Sequence, residues 1–446
     1  MQVAIGHGLH ALPWREPRAG AHAARAAAFY LWSQVEGGHG CPVSMTYAVV
    51  PALRKNAELA EAWEPLIKSL EYDPGLRPPA TKRGVLFGMA MTERQGGSDV
   101  RANITRAEPA GNDGEYAITG HKWFVSAPMC DAFLVLAQAP GGLSCFLLPR
   151  VLSDGTRNGF HIERLKDKLG NRSNASSEVA FDHASAWLIG EEGRGVRTII
   201  DMVNHTRLDC VIGSASLMRQ AVAQATHHTA HRSAFGKLLS EQPLMVNVLA
   251  DLAVESEATT ALMMRLARAF DGDGQEAHFR RIATAVAKYW CCKRAIAVAA
   301  EALECHGGNG YVEESILPRL YREAPLNSIW EGSGNVNALD VLRAMAREPE
   351  SVEAFFAEVG YDQGLARAVA DLRKQLADSA DAEARARIVV ERMAILLQAS
   401  LMLRFGDPAS AEVFCESRLG EHGHQFGTLR PQPALRGIVE RARPTV

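Results

Sequence analysis

Apolar residues recur at helical spacing through residues 20–75, with Ala24, Ala28 and Leu31 as one such row. A 3.6-residue period buries one stripe of a helix, so this segment predicts helices, broken where Gly37, Gly38 and Gly40 gather. Near residue 85 the pattern changes. Residues 116–119, 132–138, 143–148 and 178–181 are short runs rich in apolar and β-branched or aromatic side chains. Between them lie Gly-Asn-Asp-Gly at 111–114, Pro-Gly-Gly at 140–142 and Ser-Asp-Gly-Thr-Arg-Asn-Gly at 153–159, all of it turn chemistry. An all-β module of about 100 residues, a barrel or a sandwich, is the prediction. From Gly195 the helical period returns. Leu244, Val248 and Leu252, then Leu262, Leu266 and Phe270, predict long helices with one apolar face, and Pro243 suits a first turn. Beyond residue 346, stretches 366–376 and 384–403 predict further helices ahead of a tail containing Gly and Pro. Helices, then strands, then helices is not the alternation of a doubly wound α/β sheet.

Composition narrows the class without changing that picture. The chain has 446 residues, 47% hydrophobic and 22% charged, the values of an ordinary soluble protein rather than a disordered or fibrous one. At roughly 150 residues per domain this length predicts two to four domains. Lys and Arg number 48 against 51 Asp and Glu, so a globally basic nucleic-acid coat is excluded and only a local patch is left open. The eight cysteines (Cys41, Cys130, Cys145, Cys210, Cys291, Cys292, Cys305 and Cys415) form no C-x-x-C. That argues against a zinc ribbon and suits a reducing cytoplasm. No secretory signal and no run of about 18 apolar residues is visible, so no membrane association is expected.

Two short motifs carry little. Gly6-His-Gly8-Leu-His-Ala11 matches G-x-G-x-x-A, but Pro13 interrupts the helix that would have to open there, and no β/α alternation follows. His227, His228 and His231 include an i, i+4 pair, yet no third ligand stands with them, so a packed or solvated helix face is the better reading and no metal is expected. The segment Met89-Ala90-Met91-Thr92-Glu-Arg-Gln-Gly96-Gly97-Ser98-Asp99 is richer. It sets hydroxyls and two adjacent glycines after an apolar run, offering donors and close backbone approach to an anion or a flavin edge. Alone, a capped turn explains it equally well.

Further motifs follow in order: Gly120-His-Lys-Trp-Phe124-Val125-Ser126, Arg232-Ser-Ala-Phe235-Gly236 with Gln242 nearby, Gly307-Gly308-Asn-Gly310-Tyr311, and Asn327-Ser-Ile-Trp330-Glu331-Gly332-Ser333-Gly334-Asn335. On these residues the chain resembles the acyl-CoA dehydrogenase superfamily. The resemblance implies a mainly α fold with a central β-barrel domain and FAD as cofactor. It also implies flavin contacts from the 89–92 strand end, Thr92, Gly97 and Ser98, with Phe124, Val125 and Ser126 replacing the family's Trp-x-Thr step beside the flavin. Arg232 and Phe235 would reach the FAD of a neighbouring subunit, with Gln242, Gly307 and Gly308 serving the same adenosine-diphosphate half. Trp330, Ser333 and Asn335 would close over the cofactor. Glu331 falls on the family's catalytic carboxylate, which removes the proton α to a thioester carbonyl. Desolvation beside Trp330 and the flavin would raise its pKa toward the working range. Arg207 falls on an active-site arginine of the family, with a surface helix charge as the plainer alternative.

The resemblance is closer still to the AidB-like alkylation-response flavoproteins. It rests on Lys82-Arg-Gly-Val-Leu-Phe-Gly, on residues 163–176, on Leu317-Pro-Arg-Leu-Tyr-Arg-Glu and on the helical extension past residue 346. It implies four parts: 1–85 N-terminal helical, 86–190 flavin-binding barrel, 191–345 helical bundle with FAD and active site, and 346–446 DNA-binding extension. It further implies a homotetramer, double-stranded DNA as partner, and an acyl-CoA or alkylating small molecule as substrate. Arg343 and the cluster Arg430, Arg436, Arg441 and Arg443, with only Glu440 among them as an acid, are the candidate DNA contacts. Two departures stand out. The chain starts inside the branch's N-terminal helical domain, so the subunit contacts and pocket cover of the opening segment are expected to be altered. Residues 346–446 hold 13 basic and 15 acidic residues, which is no basic domain. The expected function is FAD-dependent protection of DNA against alkylation. The alternatives are a metabolic acyl-CoA dehydrogenase and a DNA-binding flavoprotein without turnover.

Overall fold

A computed structural model describes every residue except 112–113, 361–362, 379, 421–422 and 446. Two residues of the Gly111–Gly114 turn therefore lie outside the described residues. The chain divides into two compact units, residues 1–21 with 36–209, and residues 22–35 with 210–446.

In the first unit, helices α1 (Gln2–Gly6), α2 (Leu12–Arg15), α4 (Gly40–Leu53) and α5 (Ala57–Ile67) precede seven strands. These are β1 (Phe87–Ala90), β2 (Arg106–Pro109), β3 (Glu115–Ser126), β4 (Ala132–Ala139), β5 (Gly142–Pro149), β6 (Phe160–Leu165) and β7 (Ser176–Ile189). Strand β4 pairs with both β2 and β5, so β4-β2-β3-β7-β5 closes on itself into a small barrel, with β1 added on β4 and β6 on β7. Helix α4 docks on this sheet: Phe87 N donates to Thr46 Oγ1 at 3.0 Å, and Trp63 of α5 meets the Phe87 ring edge-on at 5.2 Å. Gly6 and Gly8 lie on α1 and the turn after it, with no strand before them among the described residues, so no dinucleotide fold is built there.

An ion pair sits inside the barrel. Lys122, buried on β3, donates to Glu93 Oε1 at 2.7 Å and to the Leu136 carbonyl at 2.7 Å. Glu93 also accepts from the Ile104 and Thr105 backbone N–H groups at 2.8 and 3.2 Å. Burial alone would raise the Glu93 carboxyl, but Lys122 and these donors outweigh it and hold it at about 2.

Helix α6 (Gly195–His231) carries the chain from the first unit into the second, to which α3 (Ala21–Ser33) belongs from His22 onward. There follow the hairpin β8 (Ser233–Ala234) and β9 (Lys237–Leu238), then α7 (Pro243–Ala269), α8 (Gln275–Glu304), α9 (Gly308–Tyr311), α10 (Leu317–Glu323) and α11 (Gly334–Arg347). The extension forms α12 (Pro349–Val359), α13 (Ala366–Ala377), α14 (Ala382–Phe405), α15 (Pro408–Leu419) and α16 (Ala434–Ala442). Helix α14 is buried from Met393 to Met402 and packs on α7, α8, α11 and α15. Buried Arg418 of α15 donates to Asp251 at 2.5 Å and to Glu255 at 3.1 Å, both on α7, and Arg294 of α8 reaches the same Glu255 oxygen at 3.0 Å. Burial would raise Glu255, but Arg294 and Arg418 hold it at about 2.

Some expectations fail in detail. Strands β1, β2 and β6 and helices α15 and α16 come where no run or period announced them. Leu244 is 82% exposed, because the buried stripe of α7 runs through Val246, Leu249, Leu252, Leu262 and Leu266. Leu31 is exposed as well, since α3 buries Arg25, Ala26 and Phe29.

Removing one partner of a buried pair strands the other charge. Lys122→Met is therefore expected to destabilise the barrel by about 3–5 kcal/mol in urea unfolding. Glu93 has a depressed folded pKa, so its stabilisation is present above the ordinary carboxylate pKa and lost as pH falls from about 4 toward 2. Glu93→Gln should remove this residue's share of the acid limb and leave the share of Glu255.

Candidate functional site

In the first unit, β1 ends at Ala90 and the chain turns through Met91, Thr92 and Glu93. The turn is fastened from below: Trp123 N donates to Thr92 O at 2.8 Å, Asn103 Nδ2 to Met91 O at 2.7 Å, and the buried Glu93 carboxylate gathers the donors described above. Gly96 is buried where a Cβ would lie 2.6 Å from Asn103 Oδ1 and 2.8 Å from Asp99 O. Gly97 and Ser98 are left exposed. Strand β3 slips register between Lys122 and Val125, and this irregularity carries Trp123 and Phe124 out of the ladder. Phe124 is 49% exposed and Ser126 half-buried, whereas the Val125 side chain belongs to the barrel core. Of the candidate flavin contacts here, Val125 and the fully buried Ala90 can therefore offer only backbone, and Met89 and Met91 are half-buried. Beside Phe124, the Trp123 ring is faced by Lys166 at 3.2 Å and Arg94 at 4.5 Å. Glu178 binds Lys166 at 2.5 Å and Arg164 at 2.7 Å, so its grouping with His121 and Glu163 is a network of paired charges. Arg207, on α6, is only 5% exposed, which removes the surface-charge alternative.

In the second unit the Trp330–Ser333 loop leads into α11, whose first turn carries Asn335. Glu331 has φ +57° and Gly332 φ +97°, so a side chain other than glycine sits in the left-handed region, a conformation costing about 1–3 kcal/mol. Lys288 Nζ donates to Trp330 O at 2.8 Å and to Gly332 O at 3.0 Å. Asn337 Nδ2 donates to Gly332 O at 2.6 Å and Ser333 O at 3.0 Å. The Trp330 indole N–H donates to Asn327 Oδ1 at 3.0 Å. Asn335 is exposed and accepts from Arg387 Nε of α14 at 2.8 Å. The sequence motifs missed Lys288, Asn337 and Arg387. The one available signal was Lys288 itself, a lone charge in the apolar run Ile282–Cys292.

The β8–β9 hairpin turns through Phe235 and Gly236, with φ +53° and +78°, and Phe235 is 97% exposed. Gln242 Nε2 donates to Ala234 O at 3.1 Å and steadies the hairpin. Arg232 is exposed with no acidic partner among the described residues. His228 stacks on His306 with ring centroids 4.5 Å apart, which brings the base of the hairpin to the Gly307-Gly308 turn. Burial keeps both imidazoles below their usual pKa. A Cβ on Gly307 or Gly308 would meet nothing within 4 Å, so this turn presents open backbone.

Acids besides Glu440 face the candidate DNA cluster. Arg441 pairs with Glu257 at 3.0 Å and Asp407 at 3.1 Å, and Arg430 with Glu416 at 3.1 Å, acids remote in sequence that folding brings up. Arg443 is half-buried and Arg436 exposed. Arg343 is exposed and leans on Asp340 at 3.3 Å.

Three family models match the chain: the adaptive response protein AidB N-terminal domain over residues 1–74, the acyl-CoA dehydrogenase middle domain over 88–184, and the acyl-CoA dehydrogenase C-terminal domain over 193–346. AidB of Escherichia coli (strain K12) is 48% identical over 431 residues, 95% of this chain and 79% of that one. Acyl-CoA dehydrogenase family member 11 of Caenorhabditis elegans is 33% identical over 74% of this chain and 56% of its own length. Among solved structures, Caenorhabditis elegans ACDH-11 in complex with C11-CoA superposes with a TM-score of 0.84 at 27% identity, over 99% of this chain and 77% of that one. The chain belongs to the acyl-CoA dehydrogenase family of flavin-dependent oxidoreductases, in its AidB branch, and its cofactor is FAD.

Proposed function

We propose that the protein is an FAD-dependent oxidoreductase of acyl-CoA dehydrogenase type that serves DNA protection in the AidB branch. Glu331 is its base. The observation that carries this is the left-handed Glu331 itself, raised on a loop whose flanking carbonyls are tied down by buried side chains. Strain of this kind persists where surrounding packing enforces it, and a resting structural flavin gives no reason to hold a carboxylate that way.

The donor set suits FAD. Thr92, Ser98 and Ser126 offer hydroxyls, Gly97 and Gly308 offer exposed backbone, Gly307 offers a close approach with its own N–H already given to Glu304 O, and Arg232 offers a guanidinium matched to a pyrophosphate. Phe124 supplies an apolar edge for the ring system, and Trp330, Ser333 and Asn335 are further candidate contacts. FAD, when bound, would supply a hydride acceptor for the β-carbon of the substrate. Glu331 takes the α-proton on a carboxylate oxygen, and buried Arg207 is the second catalytic candidate. An acyl-CoA thioester is the substrate class we favour, with an alkylating small molecule as the second.

Phe235, nearly bare in one chain, together with Leu244 and Tyr311, supports a homotetramer in which Arg232 and Phe235 meet a neighbour's cofactor. Eight free cysteines, seven of them buried, support a cytoplasmic setting. For duplex DNA, Arg436 is the exposed arginine of the group with no ion pair among the described residues, while Arg343, Arg430 and Arg441 would have to exchange an acidic neighbour for phosphate.

The purified protein should carry about one FAD per chain, and Arg232→Ala should lose it most readily on dialysis, as flavin absorbance will report. A colourless protein that FAD cannot reconstitute would sink the reading. Glu331→Gln should lower the rate of acyl-CoA-dependent flavin bleaching by about two to four orders of magnitude while flavin content is unchanged. For DNA, log affinity should fall with log salt by about 0.9 per phosphate neutralised, and Arg343→Ala with Arg436→Ala should flatten that slope. Absence of binding at low salt would favour the metabolic alternative.

A further inference from the structure

We infer that Lys288 is the positioning residue for Glu331, a clamp that sets where the carboxylate stands. This rests on the reading of Glu331 as the base, but the clamp itself is testable without it.

Lys288 sits in the middle of α8, only 1% exposed, in a run of alanines, cysteines and aromatics where a polar head is otherwise out of place. Its Nζ reaches 2.8 Å from Trp330 O and 3.0 Å from Gly332 O, the carbonyls on either side of Glu331. A single donor within 3.0 Å of both oxygens draws them closer than the i, i+2 spacing of about 6.6 Å in an extended chain. The residue between them has to arch away, and the left-handed φ of Glu331 with the positive φ of Gly332 is that arch. Buried Asn337 holds the downstream side, donating to Gly332 O at 2.6 Å and Ser333 O at 3.0 Å, so Gly332 O is shared by both clamps. Upstream, Trp330 is tied to Asn327, whose Nδ2 lies 3.3 Å from Ser214 Oγ.

The donor is fixed from within the core, since Lys288 is buried while the loop carbonyls it holds are part-buried. Losing the donor therefore removes the reason for the arch, and Glu331 is free to return to a right-handed conformation that turns its carboxylate elsewhere. General-base catalysis depends on placement first, and a shift of about 1 Å costs about 100-fold. Lysine can do this where methionine of similar length cannot, because the carbonyls need N–H donors and not only packing volume.

The test compares full-length, FAD-loaded wild type with Lys288→Met and Lys288→Arg, using butyryl-CoA as the probe. In Lys288→Met, amide hydrogen exchange across residues 330–334 should quicken at least about tenfold while α7 keeps its rate, since only the loop loses its tie. Flavin bleaching should slow about 100-fold, with the half-saturating butyryl-CoA concentration changed less than about threefold. Lys288→Arg keeps N–H donors and should stay within about tenfold of wild type on both measures. Unchanged loop exchange in Lys288→Met overturns the clamp. So does an equal loss in Lys288→Arg, because the defect would then follow from repacking the core. If Lys288→Met does not fold, Lys288→Gln, too short to reach both carbonyls, takes its place under the same criteria. If wild type is not bleached by butyryl-CoA yet the loop loosens in Lys288→Met, the clamp stands and the acyl-CoA reading falls.

Discussion

The buried cation Arg418 decides what the second unit is. Its guanidinium lies between Asp251 and Glu255, these three are removed from bulk water, and half-buried Arg294 completes the group. A set of charges like this tolerates no vacancy, since any one left alone would bear the full cost of desolvation. It therefore welds α15 to α7 and α8, and α14 is trapped between them with its Met393–Met402 stretch in the core. The extension is thus one body with the bundle, and the loop that bears Glu331 is held on a frame which the extension helps to build.

The same device appears at smaller scale twice more. Lys122 ties the Met91–Glu93 turn to the barrel interior, and Lys288 ties the Trp330–Ser333 loop to α8. In both, a buried lysine on a regular element reaches into an irregular loop and satisfies its polar groups. Loops that meet a ligand cannot bury apolar side chains on their working face, so their order has to come from beneath. Buried polar side chains supply that order with a defined geometry, which packing alone does not.

How much of this was legible depended on whether the information was local. Strands β3, β4, β5 and β7 show in short apolar runs between turn residues, and the long helices show in their period. The motifs at 89–99, 120–126, 232–236, 307–311 and 327–335 gave the family outright, because each is a backbone requirement written in adjacent residues. Strand β1 stayed hidden behind a Gly-Met-Ala sequence, and β2 and β6 carry exposed polar residues that resemble loop. Leu244 looked like core because the helical period cannot say which of two apolar stripes faces inward. The arginines at 430 and 441 looked unopposed because their partners Glu416, Glu257 and Asp407 arrive by folding. Lys288 was visible as an anomaly, but its two carbonyls lie 42 and 44 residues away.

The bond from Arg387 to Asn335 has a genetic corollary. Asn335 belongs to the signature that names the family, and Arg387 to a segment that such signatures do not reach. A premature stop codon after residue 346 would keep every recognisable motif intact on paper. It would nonetheless delete a contact on the first turn of α11, beside the loop of Glu331, and bare the faces of α7 and α8 that α14 covers. Such an allele should score as a null for the chemistry as well as for anything the extension does by itself. Complementation with the two halves as separate genes should fail unless the fragments reassemble, so inheritance has to treat residues 210–446 as a single unit of selection.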